Sequence, residues 1–265
     1  MNKISQSIVN NTQRSIRKVI NQVSSIAKSE GTGATVYRSI GTRKLRNLDP
    51  FLMLDEFHVS YPAGFPDHPH RGFETVTYML TGQTAHEDFV GHKGVIGPGD
   101  LQWMTAGKGI VHAEMPAIKD PNFESTGLQL WVNLANKDKM IDPGYQDLKD
   151  INIPRAKPTE GVEIKVIAGE SFGVNSPVCT KTPVMYLDFK LEANKSVEQA
   201  IPSEFQTAFI YTLSGKIKPL NEPISQRGPF VMSNDNDLFQ TFMDYQTNQN
   251  GFERAKHWES EIGKN

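Results

Sequence analysis

Short apolar runs separated by turn residues recur along this chain from residue 31 onward. Residues 34–40 (ATVYRSI) alternate apolar and polar side chains, and residues 74–80 (ETVTYML) are strongly β-prone and end at the turn pair Thr81-Gly82. Strand-like runs about every ten residues, with Gly and Pro between them, are typical of a β-sandwich or β-barrel. The sequence therefore predicts an all-β fold.

The same pattern divides the chain into domains. Further predicted strands in the first half are residues 51–57, 101–105, 109–115 and 127–134. In the second half they are residues 162–168, 184–189 and 208–215. We predict one β domain over residues 31–134, a polar, Pro-bearing connector over 135–160 and a second β domain over 161–265. Apolar residues between 234 and 262 predict one or two closing helices, with Gly251 as the break.

Composition excludes several classes of function. The 265 residues contain 28 Lys and Arg against 30 Asp and Glu, so no general attraction to nucleic acid is expected. The one cysteine, Cys179, cannot form an intrachain disulfide and suggests a reducing compartment. No apolar run approaches the roughly 20 residues of a membrane span. We therefore expect neither direct nucleic-acid binding nor membrane insertion.

The first thirty residues differ from the rest. They are basic, rich in Ser, Asn and Gln, and free of acidic residues before Glu30, with Ile and Val at roughly helical spacing. This composition is typical of a mitochondrial presequence, but we favour the alternative of a polar extension, disordered or with a short helix, because Asn-rich tails are common. Both interpretations stay open from the sequence.

Two histidine-bearing segments carry most of the functional information. Residues 67–74 (DHPHRGFE) contain His68 and His70, and residues 110–114 (IVHAE) contain His112 and Glu114. Because residues i and i+2 of a strand point to the same face, two such strands side by side can aim three imidazoles and one carboxylate into one volume. This donor set suits a divalent transition metal and leaves coordination positions open. The sequence predicts a non-haem iron-type site inside a β-barrel.

Glu74 competes with Glu114 for the carboxylate position. On a straight strand Glu74 would lie about 13 Å from His70, too far to share an ion. A bend at Arg71-Gly72 could bring it closer, and otherwise it could hold an imidazole N–H beside the metal. The spacing alone leaves both carboxylates as candidates.

Longer motifs resemble one known family closely. These are residues 47–51 (NLDPF), 64–78 (GFPDHPHRGFETVTY), 99–116 (GDLQWMTAGKGIVHAEMP), 127–134 (GLQLWVNL), 186–189 (YLDF), 228–232 (GPFVM) and 250–256 (NGFERAK). They resemble pirins, and the likeness covers nearly all of residues 34–263. The resemblance implies a bicupin, two cupin barrels with a metal, usually iron, in the N-terminal one.

The resemblance to pirins also implies a site and a function. It implies that His68, His70, His112 and Glu114 are the ligands of Fe(II) or another divalent transition metal. Glu74 is then expected beside the ligands, where it could accept a hydrogen bond from an imidazole N–H. It implies either a quercetin 2,3-dioxygenase, with a flavonol-like substrate and O₂, or an iron-dependent transcriptional co-regulator that binds a transcription-factor protein. Location in the nucleus or cytoplasm is implied likewise.

The chain departs from the family pattern after residue 217. The motif at 209–217 is followed almost at once by residues 218–232, where pirins carry the rest of the second barrel. At about ten residues per strand and turn, roughly four strands are absent. We therefore predict an incomplete second barrel, truncated between about residues 217 and 219, with exposed strand edges.

Other polar and apolar residues complete the expected site. Four residues near the motifs are expected to line the mouth of the first barrel: Phe73, Gln102, Trp103 and Met104. Four further histidines are expected to be surface or hydrogen-bonded groups rather than ligands: His58, His86, His92 and His257.

Overall fold

A computed structural model of the chain describes residues 17–215, 225–227, 230–232 and 235–250. The chain separates into two units, Met1–Ala208 and Phe209–Asn265. None of the helices among the described residues has the length and apolar character needed to cross a bilayer.

Strands dominate the unit Met1–Ala208. In chain order they are β1 (Ile26–Glu30), β2 (Ala34–Ile40), β3 (Phe51–Val59), β4 (Phe65–His70), β5 (Phe73–Thr81), β6 (Thr84–Asp88), β7 (Lys93–Ile96), β8 (Leu101–Thr105), β9 (Ile110–Pro116), β10 (Ser125–Asn133), β11 (Gly144–Leu148), β12 (Arg155–Thr159), β13 (Val162–Ala168), β14 (Glu170–Ser171), β15 (Val174–Asn175) and β16 (Tyr186–Leu191). Short 3₁₀ helices span Asn136–Asp138 and Asp150–Asn152.

In the unit Phe209–Asn265, β17 (Ser225–Arg227) and β18 (Phe230–Met232) pair antiparallel, and helix α1 spans Asp235–Thr247. The all-β prediction with a short C-terminal helix is confirmed. The predicted second helix lies outside the described residues.

Two antiparallel sheets form the first domain. The larger has the order β1-β2-β3-β10-β5-β8-β11 and the smaller the order β4-β9-β6-β7. One core cluster joins them, with Val36, Phe57 and Met79 from the larger sheet and Ile96 from the smaller, each at most 4% exposed. Burying these side chains between two faces is the main force that holds the sandwich closed.

Gly82 shows how a local turn supports this sandwich. It joins β5 to β6 with φ +71°, in the left-handed region that favours glycine. A Cβ atom at this position would meet Ser125 Oγ at 2.2 Å. The turn predicted at Thr81-Gly82 therefore also allows β10 to pass closely, and it places β5 and β6 in different sheets.

The second half contains a smaller sheet of order β12-β13-β16. One core cluster on this sheet consists of the buried residues Ala156, Val162, Ile164 and Val166. Within residues 161–208, β14 and β15 form a separate two-stranded ribbon. Among the described residues, β12 and β16 are the two edge strands of this sheet. The incomplete second barrel stays a prediction.

Several local predictions were wrong. Residues 208–215, predicted as a strand, form no strand, and Ile210 is 78% exposed. A strand needs a neighbour to pair with, and the described sheet of the second half ends at β12 and β16. The predicted surface connector contains β11, which pairs with β8. In the N-terminal segment, residues 17–25 form no helix and β1 pairs with β2, while residues 1–16 lie outside the described part.

Candidate metal centre

Three imidazoles converge between β4 and β9. His68 and His112 are register partners in this antiparallel pair, and His70 lies two residues further along β4. The ring centroids are 4.5 Å apart for His68 and His112, 4.8 Å for His68 and His70, and 5.0 Å for His70 and His112. One ring nitrogen of each histidine lies within 4.8 Å of the other two. These residues can therefore share a single ion.

The hydrogen-bond pattern leaves nitrogen lone pairs free for a metal. His68 Nδ1 lies 2.8 Å from the carbonyl oxygen of Pro66. Since a carbonyl can only accept, Nδ1 carries the proton and Nε2 keeps its lone pair. Neither ring nitrogen of buried His112 has a hydrogen-bond partner among the described residues. A buried polar atom without a partner calls for an explanation, and a bound cation provides one.

Burial keeps two of the imidazoles neutral. Loss of solvent, with smaller effects from His112 and His68, lowers the pKa of His70 to about 3. Loss of solvent, with smaller effects from neighbouring imidazoles, lowers the pKa of His112 to about 4. Both side chains are therefore neutral near pH 7, which is the state that binds a metal.

Glu114 lies next to this group on the inner face of β9. Its Oε2 is 4.0 Å from His112 Nε2, and the residue is 5% exposed. Thr77 Oγ1 donates to Oε1 at 2.9 Å, and Gln129 Nε2 donates to Oε2 at 3.1 Å. The opposite sheet therefore holds the carboxylate beside His112, while the group whose ligating atoms all lie within 4.8 Å of one another is His68, His70 and His112. We call His68, His70, His112 and Glu114 the primary cluster; its donor types suit a divalent transition metal.

Two aromatic rings border the primary cluster. The ring of Phe73 is 5.1 Å from His70, and that of Trp131 is 5.2 Å from it. The two aromatic rings are 4.6 Å apart. Phe73, Trp131 and His68 are half-buried whereas His70 and His112 are buried, so the cluster opens toward solvent on this aromatic side.

The alternation of side chains along a strand determines whether each of the other predicted site residues faces the primary cluster or the opposite side. Phe73 and Thr77 contact the primary cluster, so the odd positions of β5 face inward and Glu74 faces the opposite side. Its Oε1 accepts a hydrogen bond from Thr105 Oγ1 at 2.8 Å, and burial raises its pKa. The structure therefore does not bring Glu74 to an imidazole, because adjacent residues of a strand point apart.

The same rule applies to β8. Gln102 is the register partner of Thr77 and faces inward, as does Met104, the partner of Thr75. Trp103 pairs with Val76 and lies on the outer face with Glu74. Of the four residues expected at the mouth, Phe73, Gln102 and Met104 share the inner face and Trp103 does not.

A second donor group was not predicted. His86 and His92 lie with Asp147, where β7 and β11 are edge strands of the two sheets. His86 is buried, and burial lowers its pKa. No sequence signal links these residues, because Asp147 is 55 positions from His92 in the segment interpreted as a connector. We call these three residues the seam cluster.

The remaining histidines differ in their surroundings. His58 is a hydrogen-bonded group as expected, with Nδ1 2.9 Å from Glu124 Oε2 and Nε2 3.2 Å from Glu56 Oε1. These carboxylates raise the pKa of His58 against the opposing effect of burial, which is the largest single influence. His257 lies outside the described residues.

The fold and the histidine group together define a cupin protein with two domains. In fold the chain is similar to a crystal structure named quercetin 2,3-dioxygenase from Acinetobacter baumannii, with TM-score 0.62 and 28% identity over 85% of this chain and 94% of that one. A family model described as Pirin matches residues 33–132. The predicted bicupin fold is confirmed.

Relatives that match over nearly their whole length identify the family of this chain. The chain is 48% identical to a pirin-like protein of Solanum lycopersicum, over 92% of this chain and 96% of that protein. It is 47% identical to pirin of Homo sapiens, over 94% of this chain and 99% of that protein. The chain belongs to the pirin family.

The alignment with the Solanum lycopersicum protein is longer than the matched part of this chain. It spans 285 positions, whereas 92% of this chain amounts to about 244 residues. About 40 positions of that relative therefore have no counterpart here. The two lengths do not say where these positions lie, so the truncation between about residues 217 and 219 stays a prediction.

Proposed function

We propose that this protein is a metal-dependent dioxygenase of the quercetin 2,3-dioxygenase type, with Fe(II) or another divalent transition metal held by the primary cluster. The observation that carries the proposal is the convergence of three imidazoles. One of them, His112, is buried, and neither of its ring nitrogens has a hydrogen-bond partner in the part of the chain that the structure describes. The similarity in fold to a protein named quercetin 2,3-dioxygenase supports the reaction class. When bound, the ion would supply Lewis-acid and redox chemistry toward O₂ and an anionic flavonol.

The histidines and the carboxylate of the primary cluster have different roles in this proposal. His68, His70 and His112 provide neutral nitrogen donors, and Glu114 provides the one negative charge. Thr77 and Gln129 orient the Glu114 carboxylate through the hydrogen bonds at 2.9 and 3.1 Å. Partners of this kind fix the direction and basicity of a ligand. Three neutral imidazoles and one carboxylate leave a divalent ion with net charge near +1, which favours an anionic substrate.

Phe73 and Trp131 are the substrate-positioning residues of the proposal. Their half-buried rings lie beside His70 on the side where the primary cluster is accessible. A flat aromatic substrate can stack on such a surface while its oxygen atoms face the histidines. Gln102 and Met104, from the same inner face, complete the wall.

The test is oxygen uptake by the full chain. Metal-free protein is loaded without oxygen with Fe(II), Mn, Co, Ni or Cu in separate samples, and O₂ consumption is followed with quercetin. At least one metal should support turnover, and His112→Ala should reduce the rate more than about 100-fold, since it removes a ligand rather than an orienting partner. His58→Ala is the matched control, because it removes a histidine that contacts carboxylates at the surface.

Two results would count against catalysis. Stoichiometric metal binding without O₂ consumption for any metal would leave the primary cluster as a structural or sensing site, as in a protein that regulates transcription through a partner. Equal activity of wild type and His112→Ala would show that the reaction, if any, occurs elsewhere.

A further inference from the structure

The seam cluster places a second set of metal donors in the first domain. His86 lies on β6, His92 precedes β7, and Asp147 lies on β11. One ligating atom of each lies within 4.8 Å of the other two. We propose that His86, His92 and Asp147 form a second site for a divalent cation of the Zn²⁺ type, separate from the primary cluster.

The distances suit such an ion. Asp147 Oδ2 is 3.2 Å from His92 Nε2 and 3.7 Å from His86 Nε2. A tetrahedral zinc ion with ligands at about 2.0–2.2 Å holds those ligands about 3.4 Å apart. The two measured distances lie on either side of this value. The ligating atoms of the third pair, His86 and His92, lie within 4.8 Å of each other.

His86 provides an independent argument. It is 5% exposed, and neither of its ring nitrogens has a hydrogen-bond partner among the described residues. The separation of 3.7 Å from Asp147 is too long for a hydrogen bond. An imidazole buried without a partner is costly, and a cation on Nε2 would remove part of that cost.

Gly94 keeps the space beside the donors free. It is the cross-strand partner of His86 on β7. A Cβ atom on Gly94 would lie 2.8 Å from His86 Nε2 and 3.9 Å from Asp147 Oδ2. The φ of Gly94 lies outside the left-handed region, so the backbone itself does not require glycine there. The absence of a side chain therefore opens room where the ion would bind.

Solvent can reach the seam cluster. A cleft of about 280 Å³ is lined by Gly94, Val95, Ile96, Asp147, Leu148 and Lys149. The Lys149 ammonium does not compete for the position, because its Nζ donates to Val95 O and to Asp100 Oδ2, each at 2.8 Å. Water from the cleft would complete the coordination of a bound cation.

The alternative is a purely structural contact, in which the 3.2 Å hydrogen bond of His92 to Asp147 ties the two edge strands together. His58 shows what a satisfied histidine of this kind looks like, since both of its ring nitrogens contact carboxylates. Neither ring nitrogen of His86 has a hydrogen bond of this kind among the described residues. The two explanations predict different amounts of bound metal.

The experiment measures metal stoichiometry on the full chain. Metal-free protein is dialysed against Zn²⁺, and the bound metal is measured by elemental analysis. Wild type should bind two equivalents, while His92→Ala and the isosteric Asp147→Asn should each bind one, with affinity at the seam reduced at least about 100-fold. His112→Ala should also bind one, His92→Ala with His112→Ala none, and His58→Ala two. Gly94→Ala should lose the seam equivalent because its methyl group occupies the space.

The outcomes separate this site from the primary cluster. Two equivalents retained by both His92→Ala and Asp147→Asn, or a single wild-type equivalent that His112→Ala abolishes, would overturn the seam site. A single wild-type equivalent lost in Asp147→Asn and kept in His112→Ala would instead support the seam site and remove the primary one. Circular dichroism of each variant establishes that lost metal does not reflect lost folding.

Discussion

His112 and Glu114 occupy alternate positions of β9, with His112 Nε2 4.0 Å from Glu114 Oε2. The carboxylate is fixed from the facing sheet, where Thr77 donates to it at 2.9 Å. One strand therefore provides two neighbouring donors, and the other sheet sets the direction of one of them. Ligand geometry in this domain depends on how the two sheets are packed.

Thr77→Val tests this dependence. Valine keeps the shape of threonine but loses the hydroxyl that bonds Glu114, so metal affinity should fall about 10- to 100-fold while the fold persists. Competition with a chelator of known affinity measures the change. Thr81→Val is the control on the same strand, because its exposed hydroxyl contacts Thr126 rather than the cluster. Equal losses in both variants would show that Thr77 does not orient a ligand.

The stability of the metal-free protein should depend on pH through His70 and His112. Their folded-state pKa values of about 3 and 4 lie below the ordinary 6.5, so below pH 6.5 the unfolded chain binds more protons. Their contribution is complete above about pH 6.5 and is lost as the pH falls to about 4 for His112 and to about 3 for His70, by up to about 1.4 kcal/mol per pH unit for each histidine.

Urea unfolding across this window, with chelator present, measures the effect. The variant with both His70→Gln and His112→Gln should lose less stability on acidification than wild type, since its glutamines do not titrate. Parallel pH dependences in the two proteins would contradict the assignment of both imidazoles as neutral in the folded state.

Tyr78→Phe should weaken the contact between the first domain and β16. The Tyr78 hydroxyl donates to Asp188 Oδ2 at 2.7 Å and accepts from Lys165 Nζ at 3.1 Å. Removing it should cost about 1–3 kcal/mol of unfolding free energy and leave metal affinity unchanged. Chemical denaturation compares this variant with Tyr37→Phe at the surface. If Tyr78→Phe loses no more unfolding free energy than Tyr37→Phe, the Tyr78 hydrogen bonds contribute little to stability.

The aromatic pair beside His70 should affect substrate binding more than chemistry. Replacing Phe73 or Trp131 by Leu removes stacking worth about 0.5–1.5 kcal/mol, so KM for quercetin should rise roughly 2- to 13-fold. Steady-state O₂ uptake separates KM from kcat. Phe123→Leu, at an exposed loop position, is the control. A fall in kcat with KM unchanged would assign these rings a role other than positioning substrate.

Local sequence patterns predicted the bounds of a strand correctly where one face of that strand is apolar. The bounds of β2, β8 and β13 agree with the predicted residues 34–40, 101–105 and 162–168. Pairing of β4 and β9 also brings together the three predicted histidines. These features depend on alternation with a period of two, which is visible within a single segment.

Features that depend on a distant partner were missed. β4 contains Pro66 and Pro69 and is tolerated because it is an edge strand, a position that only the sheet order defines. Glu74 was placed near the site by its spacing, but the direction of β5 turns it away. The seam cluster includes Asp147 from β11, and no local sequence pattern predicts its contact with His92, 55 residues away.

Anomalous diffraction at the iron edge from crystals of the Fe(II)-loaded protein would locate the bound metal. We expect a peak within about 2.0–2.2 Å of the Nε2 atom of His68 and of one ring nitrogen each of His70 and His112. A peak bound to other residues, or no peak between β4 and β9 in stoichiometrically loaded protein, would contradict it.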